Sequence, residues 1–179
     1  MQTIEMNTQD RRPKLGLDDL AQKSYSELAT LYRDGRLPAS LSALDGPLAG
    51  RMLAVRGLGR GPLAKGLRRF AASRSFLWGG KSFSSETDRA GRGINRVQAP
   101  GVLGRQNLFP FTTSFAKSQV DGKPSIVLDY DLGENPPYIR AIHDEIREVA
   151  PGVYLGPAMW KAARGPVTVL WFALDTGKR

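Results

Sequence analysis

The sequence predicts a mainly β protein, a small antiparallel barrel with one helix ahead of it, and three observations carry that expectation. Glycine (20) and proline (12) recur throughout the 179 residues and cut the chain into short stretches, which favours strands and turns over long helices. Several stretches between them, such as SIVLDYD and VTVLWFALD, show the two-residue alternation of a strand. The last of these is apolar on both faces, as suits a strand that lines a core on one side and is covered on the other.

Residues 1–16 are polar and mixed in charge and read as a flexible lead-in, leaving 17–179 as a single domain of ordinary size. In LDDLAQKSYSELATLYRDG, Leu17, Leu20, Tyr25, Leu28 and Leu31 or Tyr32 fall near helical spacing. Asp18 and Asp19 open the segment and Gly35 stops it, so one helix is expected. Turn signals at Leu37-Pro38 and Asp45-Gly46-Pro47 lead into LAGRMLAV, a short apolar run able to begin the barrel. A basic segment follows, in which Leu63, Leu67 and Phe70 share one face of a short amphipathic helix after Pro62.

From Phe76 the pattern turns to strands: SFLWGGKSF, GRGINRVQ and LFPFTTSFAKSQV, each bounded by glycine, proline or polar clusters. Asp121-Gly122 is a hairpin turn into SIVLDYD, where Ile126, Leu128 and Tyr130 share one face and Val127 and Asp129 the other. Pro136 and Pro137 break the ladder, because proline has no backbone N–H to donate. AIHDEIREV resumes extended structure, Pro151-Gly152 turns the chain into VYLGPAMW, and the closing strand sets Val167, Val169 and Trp171 against Thr168, Leu170 and Phe172.

Composition removes several chemistries. With no cysteine and one histidine, there can be no disulfide, thiolate catalysis, Cys-ligated zinc or multi-His metal site, and no cofactor is expected. No run of about 18 apolar residues and no leader pattern occurs, which places the chain in the cytoplasm as an expectation. The net charge of +9 is concentrated in residues 51–74, where Arg51, Arg56, Arg60, Lys65, Arg68, Arg69 and Arg74 stand without an acid. A solvated surface helix, contact with an anionic surface and nucleic-acid binding all remain open there. The segment lacks the aromatic interleaving of a single-strand binder, and no specific nucleic acid is expected.

The polar residues able to do chemistry cluster in the second half. His143, Asp144 and Arg147 are the catalytic candidates: a histidine beside a carboxylate forms an acid/base pair, and an arginine clamps an anion. Extended geometry puts His143, Glu145 and Arg147 on one face and Asp144, Ile146 and Glu148 on the other, while Glu145 and Arg147 can equally be salt-bridge partners on a solvated face. Lys81, Asn95, Tyr130, Glu145 and Tyr154 are the ligand-binding candidates. Lys81 and Asn95 sit mid-strand between apolar neighbours, and a buried Tyr130 hydroxyl would need a partner such as Asp144 or Arg147. No Gly-x-Ser-x-Gly elbow and no phosphate-loop spacing is present.

The order of parts resembles a known group. The N-terminal helix, LAGRML, Trp78-Gly79-Gly80-Lys81-Ser82-Phe83, DGKPSIVLDY, DEIREV, GVYLG and WFALD together are similar to bacterial lipocalin-like proteins that combine a G-x-W-x-G motif with a following domain of unknown function. Gly50 matches the first glycine, whereas Met52 stands at the tryptophan position and Ala54 at the second glycine. The resemblance implies a lipocalin-like small β-barrel and implies no reaction. The reading that follows is a barrel that binds a small, largely apolar molecule through a few polar anchors. Its alternative is a cofactor-free acid/base enzyme, an isomerase, cyclase or lyase, in the same cavity. The oligomeric state is not legible.

Overall fold

The computed structural model describes residues 15–55, 77–98 and 104–177. Eight strands form one closed antiparallel barrel in chain order: β1 (Gly46–Val55), β2 (Leu77–Ser85), β3 (Ala90–Gln98), β4 (Arg105–Lys117), β5 (Pro124–Asp129), β6 (Ile142–Ala150), β7 (Val153–Ala162) and β8 (Gly165–Asp175). β8 returns to pair with β1, from Ala49 opposite Asp175 to Val55 opposite Leu170. Each of these strands pairs with a neighbour on both sides, so the sheet has no edge strand, the usual template for edge-to-edge aggregation. The mainly β barrel read from the sequence is the fold.

Eight strands enclose an interior that side chains can nearly fill. Leu48, Phe83, Phe111, Ile126, Leu128, Ile146, Tyr154, Phe172 and Leu174 do so. One end is plugged by a 3-10 turn, Leu41–Leu44, whose two leucines are buried in the same cluster. Asp45 ties the plug to the barrel by accepting from the Ser85 amide at 2.6 Å and the Ser85 hydroxyl at 2.7 Å. At the opposite end, β1, β3, β5 and β7 finish and β2, β4, β6 and β8 begin.

The expected single N-terminal helix is two: α1 (Leu17–Ala21) and α2 (Tyr25–Asp34). The reason is Ser24, which caps α2 by accepting from the Glu27 amide while the Glu27 carboxylate accepts from the Ser24 amide at 2.8 Å. This Ser-x-x-Glu capping box restarts the helix where periodicity alone reads through it. Both helices lie on the outside of the barrel, burying Leu20, Leu28 and Tyr32 against Val149, Val153, Leu155, Trp171 and Ala173. Each fully buried leucine there contributes about 2 kcal/mol of transfer free energy. They are the cover that the two-sided apolar pattern of β8 demanded, with Trp171 edge-on to Tyr25 at 5.8 Å.

Two bulges re-aim side chains near the open end. In β2, Trp78 pairs with Val97 but Gly80 pairs with Arg96, so one extra residue is inserted. Gly80 has φ +119°, and a Cβ there would lie 2.0 Å from the Leu48 carbonyl oxygen. In β4, the register slips between Leu108 and Pro110, leaving Phe109 as the extra residue at φ +59°, a backbone region that costs a phenylalanine about 1–3 kcal/mol.

A short helix, α3 (Pro137–Arg140), follows Pro136 and buries Ile139 against the interior cluster. The lead-in before residue 15 and the basic amphipathic helix expected after Pro62 lie outside the described residues. Among those residues, no helix is long and apolar enough to cross a membrane.

Candidate functional site

β6 alternates as its sequence implies, and the alternation divides the polar cluster. Asp144 and Ile146 point into the barrel, while His143, Glu145 and Arg147 point outward beneath α2 and the β4–β5 turn. Four of the expected residues, Lys81, Asn95, Tyr130 and Asp144, converge in the interior. His143, Glu145, Arg147 and Tyr154 do not join them.

Arg147 corrects the expectation of an anion clamp. All five of its donors are taken: a bidentate pair with Asp121 at 2.8 and 2.7 Å, and the carbonyls of Tyr32, Lys123 and Pro124. Its guanidinium also stacks 4.4 Å from the Tyr32 ring centroid. Nothing is left to hold a ligand. Its hydrogen bonds to Asp121 hold that carboxyl down at about 2.

His143 and Glu145 are likewise structural. Glu145 is fully buried and accepts from the Gln119 amide at 2.7 Å and the Tyr32 hydroxyl at 2.6 Å, with His143 Nε2 at 3.0 Å. The Tyr32 hydroxyl also lies 2.9 and 3.1 Å from the hydroxyls of Ser125 and Ser118. Burial disfavours the Glu145 charge, but these donors outweigh it and hold the carboxyl below its usual range. This second network fastens α2 to the barrel wall. Tyr154 does face inward, but it packs with Leu174 and Ile146 in the filled part of the barrel and does not line the cavity.

The interior cluster sits at the floor of an open cavity of about 90 Å³. Lys81 Nζ donates to Asn95 Oδ1 at 2.8 Å, to Asp144 Oδ2 at 3.1 Å and to the Tyr130 hydroxyl. The Tyr130 hydroxyl donates to Asp144 Oδ2 at 3.1 Å and accepts from Asn95 Nδ2 at 3.2 Å. Asn95 is in turn held by two groups that the bulges deliver: Trp78 Nε1 donates to its Oδ1 at 3.1 Å, and its Nδ2 donates to the Phe109 carbonyl at 3.1 Å. One atom is left over. Asp144 Oδ1 is buried and has no hydrogen-bond partner.

The surroundings are apolar. Lys81 Nζ lies within 5.1–5.4 Å of the ring centroids of Trp78, Phe111, Tyr130 and Phe172. Met52, Phe109, Ile139, Ile142, Ala158 and Leu170 complete the walls. Burial drives the Lys81 pKa down, against the opposing pull of Asp144, and drives the Tyr130 hydroxyl well above its ordinary value.

Trp78 and Phe109 were not among the sequence candidates. Trp78 and Lys81 are three apart, and in a regular strand they would face opposite sides; the bulge at Gly80 puts both inside. The paired Gly79-Gly80 was the available signal. Gly50 makes room from the neighbouring strand, since a Cβ there would lie 2.6 Å from the Trp78 ring.

No family model matches this chain. No curated protein matches it. A solved structure of a protein from Thermomonospora curvata is similar to it, at 18% identity over 86% of this chain and 87% of that one, with a TM-score of 0.47.

Proposed function

We propose that this protein binds a small, largely apolar molecule in the open end of the barrel, with one polar group of that molecule seated on Lys81, Tyr130 and Asp144. The observation that carries this reading is the composition of the cavity: apolar walls around one convergent polar cluster, the usual make-up of a small-molecule site. The cluster leaves one buried carboxylate oxygen, Asp144 Oδ1, without a hydrogen bond, a cost that a polar group of the ligand would remove. The cavity of about 90 Å³ is smaller than the roughly 150 Å³ space that holds a benzene ring, so a compact polar end enters and the rest of the ligand extends toward the mouth. The resemblance to lipocalin-like proteins agrees with this, and Met52, at the position of their motif tryptophan, lines the cavity.

Native mass spectrometry of the purified protein, followed by denaturation and identification of whatever it releases, tests the reading. Ala158→Phe puts a ring into the cavity wall; the affinity for the released compound is expected to fall at least about tenfold, or about 1.4 kcal/mol, with the melting temperature little changed. Equal binding by wild type and variant would show that the ligand sits elsewhere.

A second reading, an acid/base enzyme acting as an isomerase, cyclase or lyase, is favoured by the unpartnered Asp144 Oδ1 beside the Tyr130 hydroxyl. Asp144 would then be the base and Tyr130 the proton donor, with His143 excluded by its place outside the barrel. Asp144→Asn should retain the ligand and lose about 10²–10⁴ of any turnover; an unchanged rate removes the reading.

A further inference from the structure

We infer that Lys81 is a nucleophilic amine that forms a Schiff base with an aldehyde or ketone entering the barrel, so that the ligand class is an apolar carbonyl compound. The inference rests on the binding reading above and deepens it. Its basis is the arrangement around one nitrogen. Lys81 Nζ sits at the cavity floor, ringed by aromatic side chains, with a hydroxyl and a carboxylate both within hydrogen-bonding reach. Among the described cavity-lining residues, Lys81, Tyr130 and Asp144 are the ones that titrate.

Each group has a part in the condensation. The neutral amine keeps two hydrogen bonds, to Asn95 Oδ1 and Asp144 Oδ2, and its lone pair takes the place of the bond to Tyr130. The amine attacks the carbonyl carbon and the carbonyl π pair moves to oxygen, which takes a proton from the Tyr130 hydroxyl. Loss of one proton from nitrogen, returned to Tyr130 through Asp144, completes the carbinolamine. The nitrogen lone pair then expels the hydroxyl, which leaves as water with one proton from solvent, and a protonated C=N bond remains on Lys81. In balance, amine, carbonyl and one proton give iminium and water, with no oxidant or reductant. Asp144, with one oxygen on Lys81 and the other unpartnered, is the counter-ion for the iminium that forms.

Such a role requires an amine that is unprotonated near neutral pH. An ordinary lysine, near pKa 10.4, is neutral at pH 7 in only about one molecule in a few thousand, and each unit of lowering raises that fraction tenfold. Burial pushes Lys81 in this direction, as it does for lysines that act through Schiff bases. The apolar walls also set the reactant class: a carbonyl compound with hydrocarbon substituents fits, while a sugar or phosphate would leave its hydroxyls or charge unpaired.

The test uses the full-length wild-type protein with 3-methylbutanal and sodium cyanoborohydride at pH 7, followed by peptide mapping. Lys81 should carry the reduced alkyl group at least about tenfold faster than the exposed Lys117 and Lys123, and Lys81→Arg should abolish that adduct while leaving the other two unchanged. In parallel, saturation-transfer NMR with 3-methylbutan-1-ol, which cannot form an imine, reports binding alone. Transfer to the alcohol without selective labelling of Lys81 would overturn the Schiff base and leave the binding site standing. Neither transfer nor labelling would remove both. Selective labelling supports the inference whichever way the alcohol behaves.

Discussion

Two buried basic side chains in this barrel show how the surroundings of a residue decide its role. Arg147 is nearly fully buried on the outer face, but its five donors and its charge are all satisfied by Asp121, three carbonyls and the Tyr32 ring. Lys81 is almost as buried, and its partners Asn95, Tyr130 and Asp144 sit with it among the aromatic rings on the inner face. The guanidinium is spent on joining the outer elements, whereas the Lys81 amine lines the cavity, where the proposed ligand would meet it. The Arg147–Asp121 pair has a pH signature. The Asp121 carboxyl falls from its ordinary 3.8 to about 2 in the folded protein, so its stabilisation is complete above about pH 4 and is lost as pH falls through about 2. Asp121→Asn should therefore cost about 1–3 kcal/mol at pH 7, and the gap to wild type should narrow between pH 4 and pH 2. Urea unfolding at pH 7, 4 and 2.5 measures this, and a gap independent of pH would disprove the assignment.

At the scale of elements, the bulges do what regular strands cannot. A pleated strand sends alternate side chains to opposite faces, so Trp78 and Lys81 share the cavity only because Gly80 adds a residue between them. Phe109 reaches the same cavity from β4 through a strained backbone, and Asn95 holds its carbonyl. The adjacent glycines of β2 should accordingly respond differently to substitution. Gly80→Ala combines a positive φ with a Cβ driven into the Leu48 carbonyl, and should cost about 3 kcal/mol or more. In Gly79→Ala the nearest atom is the Arg96 carbonyl oxygen at an ordinary 3.6 Å, and the cost should stay below about 1 kcal/mol. Thermal denaturation of the two variants checks this; equal losses would mean that the bulge is not what requires glycine.

Across the whole molecule, one barrel wall separates two polar systems. The inner system, Lys81, Asn95, Tyr130 and Asp144, belongs to the cavity. The outer one, Tyr32, Ser118, Ser125, Glu145 and Arg147, fastens α2 to β5 and β6. Adjacent residues of β6 feed opposite networks, Asp144 inward and Glu145 outward. This explains why a sequence rich in charges at 143–148 reads as one site when it serves two purposes.

The sequence by itself determined the strands and which of their residues share a face, but not the break of the N-terminal helix into two. Turn residues bounded the strands, period-two patterns set which residues of β5 and β6 share a side, and the two-sided apolar run of β8 required the outer cover that α1 and α2 provide. A local pattern records these because hydrophobic periodicity is a property of neighbours along the chain. Which face of β6 was the inside is not local: His143-Glu145-Arg147 and Asp144-Ile146 are both plausible linings until α2 occupies the outside. The same holds for the four residues that meet in the cavity, brought from β2, β3, the end of β5 and β6 by barrel closure. Tertiary structure alone decided the site, because a one-residue bulge or a covering helix reverses the side a residue faces without changing the alternation around it.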